Sequence, residues 1–128
     1  MTDVLLIEDN DDDITLAQRA FEKVALADKV HVARDGTAAL DYLFGTNSTI
    51  QLILLDLNLP KISGLDVLRQ IRLNPLTSHL PVVVLTVSRK EPDLLQSFTM
   101  GISDYLIKPL DPARFIQIYR TYVREGAV

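Results

Sequence analysis

Five residues far apart in the chain share a setting that could do phosphoryl chemistry. Glu8 and Asp9 close the apolar run Val4-Leu-Leu-Ile7, and Asp56 closes Leu52-Ile-Leu-Leu55. Thr86 closes Val82-Val-Val-Leu85, and Lys108, followed by Pro109, closes Tyr105-Leu-Ile107. If these runs are parallel strands, side chains at the same end of each converge on one place. A carboxylate pair, a further acid, a hydroxyl and an ammonium together describe a Mg²⁺-dependent phosphoryl acceptor.

Each residue also has a plainer reading. Asp11, Asp12 and Asp13, next to Glu8 and Asp9, read best as solvated acids in the first turn of a helix, where they complement its dipole. Asp56 follows four apolar residues that ought to be buried, so its charge needs a partner. It is either a cap on the following loop or a nucleophile that takes a phosphoryl group as an aspartyl phosphate. Thr86 is either a turn residue or a ligand. Lys108 is either a snorkelling surface lysine or a cation aimed by the restricted backbone before Pro109. A cis Lys108–Pro109 bond would point the ammonium across the crevice at Asp56. Carboxylates gathered closely must raise a pKa or recruit a cation. A few hard oxygen ligands suit Mg²⁺ with retained waters better than an all-protein Ca²⁺ cage.

The elements that must position these residues alternate regularly. Val4–Ile7, Val30–Ala33, Leu52–Leu55, Val82–Leu85 and Tyr105–Ile107 read as strands separated by helical patterns, the signature of a parallel sheet covered on both faces. The first helix begins near Asn10 or Asp11, with Ile14, Ala17, Phe21 and Val24 as its inward stripe. Asp35-Gly36 reads as the turn after strand two. The second helix carries Ala39, Leu40, Leu43 and Phe44 and ends at Gly45. After a loop holding Pro60 and Gly64, Leu65, Leu68 and Ile71 mark helix three, stopped by Asn74-Pro75. Helix four bears Leu94, Leu95 and Phe98 and stops at Gly101. Its start is either a Ser88…Glu91 capping box or Pro92 at the first helical position. Helix five takes Asp111 as N-cap, then Pro112, with Phe115, Ile118, Tyr119 and Tyr122 inward.

At 128 residues the chain is sized for one domain. Its net charge of -4 and the lack of a Lys/Arg block argue against nucleic-acid binding. There is no cysteine, so disulfide and thiol chemistry are excluded. No apolar run is long enough for a signal peptide or membrane span, and a cytoplasmic protein is the expectation. His31 and His79 lie away from the proposed site and are not expected to carry phosphate.

These residues resemble the response-regulator receiver domain of two-component signalling over nearly the whole chain. Glu8-Asp9, Asp56 in Leu-Leu-Asp-Leu-Asn-Leu-Pro, Gly64, Thr86, Tyr105 and Lys108-Pro109 stand in order at family-like spacing. The resemblance implies a flavodoxin-like α/β fold: a doubly wound five-stranded parallel sheet in order 2-1-3-4-5 with five helices. In that order strands one and three are neighbours where the topology reverses, and Glu8, Asp9 and Asp56 share a crevice. It further implies that Asp56 is the phospho-acceptor and that Asp9, Asp56 and the backbone carbonyl of Asn58 hold Mg²⁺, with Glu8 acting through water. Thr86 and Lys108 would bind phosphoryl oxygens, and Tyr105 would swing inward as the switch. The stretch Asn74-Pro-Leu-Thr-Ser-His-Leu-Pro-Val-Val-Val-Leu-Thr86 looks like regulators paired with bacterial phytochrome kinases.

One position departs from the family's commonest pattern. Val87 stands where most members have a small residue, and its β-branched side chain is expected to narrow access to Asp56. The reading is a stand-alone receiver over residues 1–128, without an output domain. A sensor histidine kinase would supply the phosphoryl group. The face of helix four, strand five and helix five would act on a downstream protein, a phosphotransfer protein or a second copy as a homodimer. The alternatives are a Mg²⁺-dependent phosphatase with an Asp nucleophile and a flavodoxin-like nucleotide binder. The phosphatase would want an acid where Asn58 stands and a nucleophile after the first strand. The nucleotide binder would want a phosphate-cradling loop where Asp9-Asn-Asp-Asp-Asp13 stands.

Overall fold

The computed structural model describes residues 3–45 and 49–123. Residues 1–2, 46–48 and 124–128, which the single receiver read over 1–128 includes, lie outside them. In chain order the elements are β1 (Asp3–Ile7), α1 (Asp11–Lys23), a short 3₁₀ turn (Ala27–Lys29), β2 (Val30–Ala33), α2 (Gly36–Phe44) and β3 (Ile50–Asp56). Then follow α3 (Gly64–Leu73), β4 (Val82–Thr86), α4 (Pro92–Phe98), β5 (Asp104–Ile107) and α5 (Pro112–Tyr122). All strand pairings are parallel, and the sheet runs β2-β1-β3-β4-β5.

The continuous apolar runs follow from double-sided burial. In β1, β3 and β4 alternate side chains enter two separate cores. Leu5, Ile7, Ile53, Leu55, Val82 and Val84 face α2, α3 and α4, whereas Val4, Leu6, Leu52, Leu54, Val83 and Leu85 face α1 and α5. Phe21 of α1 meets Phe115 of α5 edge-on at 4.7 Å, which locks the two helices beneath the sheet. The edge strand β2 is only partly buried, in keeping with its more polar sequence.

This alternation decides where the strand-end side chains go. Glu8 continues the parity of Val4 and Leu6, Asp56 that of Leu52 and Leu54, and Lys108 that of Leu106, so all three lean toward the α1/α5 side. Thr86 continues the parity of Val82 and Val84 and leans toward α3 and α4.

Several local readings are refined. Asp35-Gly36 is not a free turn: Asp35 is the N-cap of α2, its side chain accepting from the Ala38 N–H at 2.7 Å. Helix α4 starts at Pro92 rather than through a Ser88 capping box, and the Ser88 hydroxyl instead accepts from Lys90 N–H at 3.1 Å. Asp111 does precede α5, but its side chain makes no capping hydrogen bond. Helix α4 ends at Phe98 with Thr99 as its C-cap, earlier than the stop read at Gly101, which follows in the left-handed conformation at φ +80°. Arg72 fastens this region, donating to the carbonyls of Ser78, Leu80 and Gly101 and so tying α3 to the approach to β4 and the turn before β5.

Candidate functional site

The site is assembled by backbone contacts that extend the sheet just past its strand ends. Glu8 N–H donates to Ala33 O at 3.0 Å, prolonging β1–β2 pairing by one residue. Lys108 N–H donates to Thr86 O at 2.7 Å, prolonging β4–β5. Behind Asp56, Gly64 N–H donates to Leu57 O at 3.0 Å and closes the loop that leaves β3. The Lys108–Pro109 bond is cis.

Lys108 is the centre of the charge distribution. Its Nζ donates to Asp13 Oδ2 at 2.9 Å and Asp56 Oδ2 at 3.1 Å, and lies 2.6 Å from Glu8 Oε1. The surrounding groups are mostly desolvated: Glu8 is 1% exposed and Asp56 5%. Burial pushes Glu8 up to about 7, with the nearby Asp56 adding to the rise and Lys108 opposing it. Burial alone would lower the Lys108 ammonium, but Glu8, Asp13 and Asp56 outweigh it and hold the group above its ordinary range.

Asp56 is further fixed by Asn58, whose backbone N–H donates to Oδ1 at 3.0 Å. Thus one carboxylate oxygen faces the loop and the other faces the ammonium. Thr86 is buried, and its hydroxyl is engaged with its own loop: it donates to Ser88 O at 3.1 Å and accepts from Ser88 N–H at 3.4 Å. Tyr105 is half-buried and packs edge-on against Phe98 of α4 at 6.2 Å. Val87 is 65% exposed just beyond Thr86.

The donor set fits a hard divalent cation. Glu8, Asp9 and Asp56 each offer an oxygen, and these atoms lie within 4.8 Å of one another. Glu8 Oε1 is buried and has no aligned hydrogen-bond donor, while Oε2 accepts from the N–H groups of Asp9 and Asn10 at 3.2 and 3.3 Å. Three carboxylates (Glu8, Asp13 and Asp56) surround a single ammonium and Asp9 adds a fourth acid beside them, so the crevice carries negative charge that a small cation would neutralise.

Sequence reasoning missed Asp13, which belongs to the site and not only to a helix cap. It does lie in the first turn of α1, where its N–H donates to the Asn10 side chain at 3.0 Å. A signal was present nonetheless. Counting back one turn from Ala17 along the inward stripe Ala17–Phe21 reaches Asp13, whereas Asp11 and Asp12 fall elsewhere. Asp11 pairs instead with Arg34, which also reaches Asp9 O at 3.5 Å. His31 lies at the other end of the sheet, 3.0 Å from Asp3 Oδ2.

A twisted parallel sheet with this strand order and an acidic crevice at its carboxyl edge defines the receiver class of signalling proteins. The family model described as "Response regulator receiver domain" matches residues 4–120, and the chain belongs to that family. Among curated relatives, "Probable methanogenesis regulatory protein FilR2" of Methanothrix harundinacea is 43% identical over 111 residues, 84% of this chain and 72% of that one. Response regulator Rcp1 of Synechocystis sp. is 38% identical over 82% of this chain and 75% of its own length. The bacteriophytochrome response regulator AtBRR is similar in three dimensions with a TM-score of 0.84 at 38% identity, covering 100% of this chain and 97% of that structure. Among the described residues no helix is long and apolar enough to cross a membrane.

Proposed function

We propose that this receiver accepts a phosphoryl group on Asp56 and works as a response regulator. The observation that carries the reading is the Asp56 carboxylate held 3.1 Å from Lys108 Nζ beside the Glu8–Asp9–Asp56 oxygen cluster. A carboxylate oxygen of Asp56 attacks phosphorus, the bond to the donor breaks, and the leaving group keeps the electron pair. Such transfer needs positioning and charge neutralisation more than covalent help. Lys108 would take one phosphoryl oxygen, and Thr86 would turn from Ser88 to take another. Glu8, Asp9, Asp56 and the Asn58 carbonyl would hold Mg²⁺, which supplies neutralisation of the phosphoryl charge when bound.

The donor would be a sensor histidine kinase, and similarity to AtBRR and Rcp1 favours one of phytochrome type. Output would be a shift between two conformations, with Tyr105 leaving its packing on Phe98. The face of α4, β5 and α5 would then engage a downstream protein, a phosphotransfer protein or a second copy. The net charge of -4 argues against nucleic acid as the partner, and a cytoplasmic location fits this role. A Mg²⁺-dependent phosphatase has no support: Asp56 ends the third strand rather than the first, and Asn58 stands where an acid would be needed.

Intact-mass measurement after incubation with Mg²⁺ and acetyl phosphate tests the chemistry. The wild type should gain one phosphoryl group, and Asp56→Asn should gain none. Equal labelling of both would end the assignment of Asp56.

A further inference from the structure

Asp13 stands out because it touches the reactive centre without belonging to the oxygen cluster that suits a cation. It comes from α1, not from a strand end, and reaches Lys108 across 95 positions of sequence. Building on Asp56 as phospho-acceptor, we propose that Asp13 is a positioning residue. It is the exchangeable partner of Lys108, holding the ammonium in the unmodified protein and being displaced when a phosphoryl group arrives.

Lys108 must give up one of its contacts to take a phosphoryl oxygen. Its ammonium has three N–H donors and is already ringed by three carboxylates at 2.6, 2.9 and 3.1 Å. A phosphoryl oxygen needs one of those directions. Asp56 loses its own charge once its oxygen is bonded to phosphorus, and the ammonium must then move outward to the phosphoryl oxygens, away from Glu8 or Asp13. The Glu8 side chain is 1% exposed and would be left a desolvated anion. The Asp13 side chain is 34% exposed. It is the carboxylate that water can resolvate most cheaply.

Geometry makes the exchange specific. The Asn10 cap holds the Asp13 N–H at 3.0 Å and fixes the backbone, so the carboxylate can swing off Lys108 while the helix stays in place. Its departure leaves the Glu8, Asp9 and Asp56 cluster undisturbed, because Asp13 contributes nothing to it. Removing the Asp13 charge should therefore ease phosphoryl binding, whereas an acid that merely braced the site would weaken it when removed. Asp12, one residue earlier, carries the same charge but has no contact with Lys108 among the described interactions, and it serves as the charge control.

Beryllofluoride, a phosphoryl mimic, can be titrated into full-length protein at saturating Mg²⁺ and followed by chemical shifts. Mg²⁺ alone is titrated in parallel. Asp13→Asn should tighten beryllofluoride binding roughly two- to fivefold, the range of a partly exposed ion pair released from competition. Asp12→Asn should change it little, and Mg²⁺ affinity should not tighten in either variant. Weaker or unchanged beryllofluoride binding in Asp13→Asn, with wild type responding normally, overturns the exchange while leaving the phospho-acceptor reading intact. Equal tightening in both variants also overturns it, since net charge alone would then be acting. Retained beryllofluoride binding by Asp56→Asn would instead defeat the underlying function.

Discussion

Asp56 Oδ2 and Lys108 Nζ are 3.1 Å apart although they end strands that are not neighbours in the sheet. Strand β4 separates them, and its last residue, Thr86, leans to the opposite side. The lysine therefore passes over the end of β4 to reach the acid. This arrangement lets a single cation serve carboxylates from β1, β3 and α1 together, which makes Lys108 the main compensation for the buried charge.

Lys108→Ala should expose that dependence in two ways. Glu8 and Asp56 lose their cation while staying buried, and breaking a buried charge pair by removing one partner costs about 3 kcal/mol or more. Urea unfolding at neutral pH without divalent ions should show a loss of that order. Mg²⁺ should recover more stability in the variant than in wild type, because it then has no ammonium to compete with. A variant as stable as wild type would mean that the acids are neutral or resolvated when the lysine is gone.

The raised Glu8 carboxyl gives a pH dependence of defined sign. With its folded pKa lifted to about 7 from the usual 4.5, Glu8 keeps a proton in the folded protein where the unfolded chain has lost it. Folded protein then binds more protons, so stability falls as pH rises between those two values and levels off above the higher one. Glu8→Gln should flatten this slope in urea midpoints measured from pH 4.5 to 8 without divalent ions. Because metal ligands must be deprotonated, Mg²⁺ affinity in wild type should weaken as pH drops through 7, and calorimetric titration would read this directly.

The chain announces much of this arrangement, and the reason lies in burial. Leu52–Leu55 and Val82–Leu85 are apolar at every position because both faces of the sheet are covered, so the first charged or hydroxylated residue after each run marks a strand exit. The strand order itself came from family resemblance, since apolar runs alone do not say which strands adjoin. Asp13 was hidden because a helix N-terminus attracts acids for its own reasons, and the same residue type serves a cap and a lysine partner equally well. The direction of the Thr86 hydroxyl was hidden for a different reason. It depends on a hydrogen bond to Ser88 that the loop conformation creates, and periodicity carries no information about it.

Gly64 is required by space rather than by backbone conformation. A Cβ there would lie 2.4 Å from the Leu57 Cα and 2.7 Å from the Asp56 carbonyl oxygen. Both are backbone atoms of the segment that carries the acceptor, so neither can yield without moving Asp56. Gly64→Ala should lower stability by about 2 kcal/mol or more, in the range of overpacked sites. If some protein still folds, its labelling by acetyl phosphate should be slower than wild type. Near-wild-type stability with full labelling would mean that the loop after β3 relaxes freely, against the 3.0 Å Gly64–Leu57 hydrogen bond that closes it.

Val87 tests how far access to Asp56 is controlled from the rim. Its side chain is 65% exposed, directly after the buried Thr86, so truncation removes no core packing and should leave stability within about 0.5 kcal/mol of wild type. With folding unchanged, any kinetic effect belongs to the approach of the phosphodonor. Val87→Ala should speed labelling by acetyl phosphate, measured as the initial rate of the one-phosphoryl gain at fixed Mg²⁺. Val87→Thr keeps the branched shape while adding a hydroxyl, and it should behave like wild type if bulk is the controlling property. Equal rates for all three proteins would show that the residue after Thr86 does not obstruct the donor.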